Sequence, residues 1–138
     1  MPSLLVNIDV PDVAAAEGFY VRAFGFTVGR RIGPGAVELL GAGVPLYLLQ
    51  KAADTPVSAA SSARRDYRRH WTPVHLDVVV DEVEPTLARA LAEGATVEGP
   101  IREAVWGRMA LLADPWGHGV CIVQFKGRGY DALISPAS

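Results

Sequence analysis

Val74-His75-Leu76-Asp77-Val78-Val79-Val80, followed by Asp81 and a run to Gly94, is the stretch whose reading decides the fold. Val74, Leu76, Val78 and Val80 share one face of a strand, and His75, Asp77 and Val79 share the other. Asp81 then opens a helix through Leu87, Ala90 and Leu91 that stops at Gly94. The same order stands near the start of the chain. Leu4 to Val10 alternates as a strand, with Val6, Ile8 and Val10 on one face and Leu5, Asn7 and Asp9 on the other. Asp12 caps a helix to about Phe24, Gly25 ends it, and Ala16, Phe19, Tyr20 and Ala23 form its apolar stripe. Asp12 to Gly25 and Asp81 to Gly94 are equal steps, so the chain repeats itself.

Three strands should follow each helix. In the first half they are Phe26 to Ile32, Ala36 to Leu40 and Val44 to Gln50, parted by Gly33-Pro34-Gly35 and Gly41-Ala42-Gly43. In the second they are Thr96 to Glu103, Gly107 to Ala113 and Gly119 to Phe125, the last two joined by Asp114-Pro115-Trp116-Gly117. The pattern predicts an α+β fold of tandem βαβββ modules within a single domain, 1–138. The modules cover about 3–50 and 73–126, with a connector at 51–72 and a tail at 127–138. A short helix is expected in the connector, near Ala60 to Arg69.

Composition narrows the function. Half of the residues are hydrophobic and the net charge is −2, so there is no broad positive field for nucleic acid. The basic run Arg64-Arg65-Asp66-Tyr67-Arg68-Arg69 reads as a solvated linker rather than a phosphate-binding patch. One cysteine, Cys121, permits no intrachain disulfide, which fits a reducing compartment. With no signal-peptide pattern and no apolar run long enough to span a bilayer, the expectation is a cytoplasmic protein without a membrane partner. No P-loop, Ser-His-Asp order or zinc-finger spacing is present.

Two sets of motifs carry a resemblance. The first is Asp12…Phe19-Tyr20…Phe24-Gly25-Phe26. The second is His75-Leu76-Asp77-Val78-Val79-Val80-Asp81, Glu93-Gly94-Ala95, Trp106-Gly107-Arg108 and Asp114-Pro115-Trp116-Gly117-His118. Together they resemble the vicinal oxygen chelate superfamily of glyoxalases, bleomycin-resistance proteins and extradiol dioxygenases. Trp106-Gly107-Arg108 before the Asp114-Pro115 turn is especially similar to bleomycin-resistance proteins. The resemblance implies a curved mixed sheet forming a half-barrel around a cavity, and a homodimer. It does not settle function, because the superfamily hosts many chemistries.

The family's metalloenzymes carry a ligand on the first and last strand of each module. On this chain those positions are Leu5, Tyr47, His75 and Cys121, and only His75 is a usual family ligand. Divalent metals need several converging N, O or S donors, so a metal-free protein without cofactor is expected. Asp9 or Asp77 remains available for recruitment beside His75 and Cys121. The candidate ligand-binding residues are Asn7, Asp9, Tyr47, Tyr67, Trp71, His75, Asp77, Trp106, Arg108 and Cys121, the aromatics among them suited to a flat molecule. The leading expectation is non-catalytic sequestration of a bulky, aromatic antibiotic or secondary metabolite. The alternatives are a metal-independent isomerase, cyclase or lyase using His75 and Asp77, and a glyoxalase-like metalloenzyme.

Overall fold

The computed structural model describes residues 1–134; the last residues of the expected tail lie outside this range. The chain divides into two compact units, one ending at His70 and the next starting at Trp71, so most of the connector belongs with the first unit.

In the first unit, β1 (Val6–Val10) leads into α1 (Val13–Phe24), then β2 (Thr27–Arg31), β3 (Ala36–Leu40) and β4 (Leu46–Gln50). The sheet order is β1-β4-β3-β2, with β1 parallel to β4 and the other neighbours antiparallel. The second unit repeats this plan with β5 (Leu76–Val79), α2 (Val83–Ala92), β6 (Thr96–Val97), β7 (Arg102–Ala104), β8 (Gly107–Ala113) and β9 (Gly119–Phe125). Its order is β5-β9-β8-β6, with β5 parallel to β9 and β7 also paired to β8. A 3-10 turn, Gly129–Leu133, follows. Neither sheet is closed. Among the described residues no helix is long and apolar enough to cross a membrane.

Helix α1 forms as its spacing predicts. The Asp12 side chain accepts from the Ala15 amide at 3.1 Å, and Gly25 closes the helix in the left-handed region at φ 76°. Ala16, Phe19, Tyr20 and Ala23 are its buried residues. Ile8, Val10, Val37, Leu39, Leu46 and Leu48 of the sheet are buried as well.

Three expectations need correction. Helix α2 is not opened by Asp81: Glu82 holds the cap position without a side-chain cap bond, and the Val83 amide donates instead to Gln124 Oε1 at 2.9 Å. Its buried residues are Val83, Thr86 and Ala90, while Leu91 is exposed. The strand expected over Thr96 to Glu103 is broken into β6 and β7. Val97 pairs with Leu112 and Arg102 with Met109, so five steps on one side face three on the other. Gly99-Pro100 lies in the bulged stretch, where proline has no N–H for the ladder. Finally, no helix forms near Ala60 to Arg69. The segment folds back on itself through Asp54 N–H to Arg65 C=O, Arg65 N–H to Thr55 C=O and Val57 N–H to Ala63 C=O. The Ser61 hydroxyl accepts from the Ala63 amide, the kind of local bond that competes with a helix.

Candidate functional site

Each sheet buries one face under its helix, and the alternation of side chains sends the other set outward. In the first unit that outward face carries Asn7, Asp9, Tyr47 and Glu38. The register aligns Asn7 with Tyr47 and Tyr47 with Glu38, forming a row across β1, β4 and β3. Asn7 is exposed. Tyr47 and Glu38 are buried, at 7% and 6% exposure. The Tyr47 hydroxyl donates to Glu38 Oε2 at 2.5 Å and accepts from Arg30 Nη2 at 2.7 Å. Arg30 also donates to both Glu38 oxygens, and its backbone amide donates to Oε1 at 3.1 Å. The Arg30 guanidinium first, then the Tyr47 hydroxyl, hold the Glu38 carboxyl down at about 2, from 4.5. The same bond to Glu38 pushes Tyr47 up and keeps it a neutral phenol.

Asp9 is half-buried and accepts from Arg65 Nε at 2.7 Å; Arg65 also donates to Pro56 C=O. This ties the folded-back connector to β1. Arg64 pairs with Asp54 and Arg68 with Asp66, so much of the basic run is neutralised locally. Tyr67 is half-buried, with its hydroxyl donating to Lys51 C=O at 2.6 Å.

In the second unit the outward face brings His75, Asp77 and Cys121 together. His75 and Asp77 are two residues apart on one face at the start of β5, and Asp77 is aligned with Cys121 of β9. His75 Nε2 is 3.2 Å from Asp77 Oδ1, and the donor atoms of all three residues lie within 4.8 Å of one another. His75 and Asp77 are exposed and Cys121 is buried. Burial, with Asp77 alongside, pushes the Cys121 thiol up to about 11. Trp71 is 81% exposed.

Two expected ligand residues stand elsewhere. Arg108 alternates onto the α2 side of its sheet, where Glu84 of α2 and Glu103 of β7 both pair with it. Trp106 packs into an aromatic cluster with Tyr130 and Phe125, at centroid distances of 5.3 and 6.2 Å. His118 has Nδ1 at 2.8 Å from the fully buried Asp114, whose carboxylate also accepts the Trp116 and His118 amides. Sequence reasoning missed Glu38 and Arg30. The available signal was a glutamate inside the apolar run Ala36-Val37-Glu38-Leu39-Leu40.

The glyoxalase-like domain profile matches residues 5–123, most of the chain. The chain belongs to this glyoxalase-like family. An uncharacterized protein of Mycobacterium bovis is 32% identical over 85% of this chain and 79% of its own length. The anthracycline biosynthesis protein DnrV of Streptomyces peucetius is 28% identical; the match covers 96% of this chain but 44% of that longer protein. A solved glyoxalase/bleomycin resistance protein of Streptomyces sp. CB03234 superposes with a TM-score of 0.60 at 26% identity, covering 87% of this chain and 97% of that one. The motif resemblance thus holds at the level of the superfamily.

For a glyoxalase-like protein, the four positions associated with the family's metal are a poor donor set here. Leu5 has no donor atom. The Tyr47 hydroxyl is engaged on both sides, by Glu38 and Arg30, and is held neutral. Only His75 and Cys121 remain, short of the three protein ligands that catalytic zinc usually takes.

Proposed function

We propose that this glyoxalase-like protein binds a bulky, planar aromatic antibiotic or secondary metabolite and sequesters it unchanged, giving resistance to the cell that makes or meets it. Its two units act as one domain, in a cytoplasmic homodimer. The observation that carries this reading is the chemistry at the family's ligand positions. Where chelating groups would stand there is an aliphatic side chain and a tyrosine locked to Glu38 and Arg30, while Asn7, His75 and Asp77 remain exposed for hydrogen bonding. Sequestration needs affinity alone, and hydrogen bonds with ring contacts supply it without a reacting group. The anthracycline-biosynthesis relative supports a planar polycyclic ligand.

The test is a titration with an anthracycline, followed through the compound's own fluorescence and by thermal shift. Saturable binding at micromolar concentration or tighter, with the compound recovered unchanged by chromatography, is expected. Neither quenching nor a thermal shift across a panel of planar polyketides would sink the reading. One geometric observation favours a second: His75 and Asp77 sit 3.2 Å apart, as a general base and its orienting carboxylate would. Turnover that disappears in His75→Ala would establish a metal-independent isomerase, cyclase or lyase instead.

A further inference from the structure

The second unit contains a donor set that the four-position comparison does not capture. Asp77 is not one of the four, yet it stands between the two that remain. It follows His75 by one strand repeat, and it is the direct cross-strand partner of Cys121. An imidazole nitrogen, a carboxylate oxygen and a sulfur therefore meet on two adjacent, hydrogen-bonded strands of one unit. Zinc accepts this N, O and S mixture and commonly takes three protein ligands with a fourth position open. Its tetrahedral bond lengths place donors roughly 3.5 Å apart. The His75–Asp77 separation of 3.2 Å already matches, and no pair exceeds 4.8 Å. Cys121 is buried at the floor while His75 and Asp77 are exposed, so a cation could enter from solvent and keep its fourth position there. Burial first, and then Asp77, hold the sulfur as a thiol without a cation, with Arg102 opposing them only weakly, so zinc must displace the thiol proton on binding.

We infer that His75, Asp77 and Cys121 form a zinc site built by the second unit alone. On binding, the Cys121 sulfur forms a bond to zinc and its proton passes to solvent. Neither Leu5 nor Tyr47 takes part. The site goes beyond the sequestration reading and does not rest on it, since ligand binding and metal binding are measured separately.

The experiment is a cobalt titration of the full chain, with zinc affinity measured by competition against a chromophoric chelator. The wild type should take up one equivalent of cobalt with a near-ultraviolet thiolate-to-metal band, and zinc should displace it. Cys121→Ser should abolish the band. His75→Asn and Asp77→Asn should each weaken zinc binding at least tenfold. The exposed position of His75 makes His75→Asn the variant least exposed to folding artefacts, and unchanged far-ultraviolet circular dichroism would verify that. A wild type with no band and no bound equivalent of zinc overturns the site, as does zinc affinity that all three variants leave unchanged.

Discussion

The two units have the same topology and nearly opposite chemistry on their outward faces. Leu48 in β4 and Ile122 in β9 occupy the same step of the repeat, and both are fully buried. Gln50 and Gln124 occupy equivalent steps of β4 and β9 and do the same work, each accepting from the first amide of its unit's helix, Val13 at 3.0 Å and Val83 at 2.9 Å. Outward, the correspondence breaks down. Asn7 corresponds to Asp77, Asp9 to Val79, Tyr47 to Cys121 and Glu38 to Leu111. Helix-facing residues are constrained by close packing and by the need to satisfy helix-end amides. Outward residues satisfy no helix-end amide, and the two units agree in the first set while differing in the second.

The largest test of that division is a matched pair of core truncations. Leu48→Ala and Ile122→Ala should each cost about 2–5 kcal/mol, since each leaves a cavity under a helix. Denaturant unfolding measures both, and similar losses are expected because the positions are equivalent. A loss several times larger in one unit would break the symmetry of the two cores. The helix-end glutamines give a smaller, graded comparison. Gln50→Ala and Gln124→Ala each remove an acceptor from a helix-end amide, worth about 1 kcal/mol by analogy with N-cap losses. Gln124 should cost more, because its bond is partly buried whereas that of Gln50 is exposed to replacement by water. Equal costs would mean that solvent substitutes equally well at both ends.

What was legible in the sequence follows the range of the interaction responsible. Asp12, the stripe from Ala16 to Ala23, and Gly25 act within a few residues of one another, so α1 was readable from spacing. The start of α2 was not, because its first amide is satisfied by Gln124, 41 residues away, rather than by Asp81. The connector misled for a related reason. Its alanines favour a helix, but its amides bond across the fold-back and its arginines reach Asp54 and Asp9. The site divides along the same line. His75 and Asp77 were readable from strand parity, and their proximity to Cys121 depends on a parallel pairing that periodicity alone does not reveal. Glu38 was passed over because period-2 reasoning places a mid-strand glutamate in water. Here its burial depends on Arg30, which a bulge in β2 turns to the same face.

That buried glutamate supplies the smallest prediction and one confined to the first unit. The folded-state pKa of Glu38 is depressed from 4.5 to about 2, chiefly by Arg30 and then by Tyr47. A depressed carboxyl contributes stability that is fully present above its unfolded value and disappears as pH falls through its folded value. The stability difference between wild type and Glu38→Gln should therefore be flat above 4.5 and shrink as pH falls toward about 2. Its size should be modest, because the Arg30 side chain is 70% exposed and water screens the pair. Asp66 and Glu84 are also held low, but both are present in each protein and cancel in the difference. Urea midpoints across this acid range measure it. Leu111, the counterpart of Glu38 in the second unit, has no charge to titrate. A parallel pair of pH curves would show that Arg30 and Tyr47 do not hold Glu38 ionised in the folded protein, and would remove the strongest chemical contrast between the two outward faces.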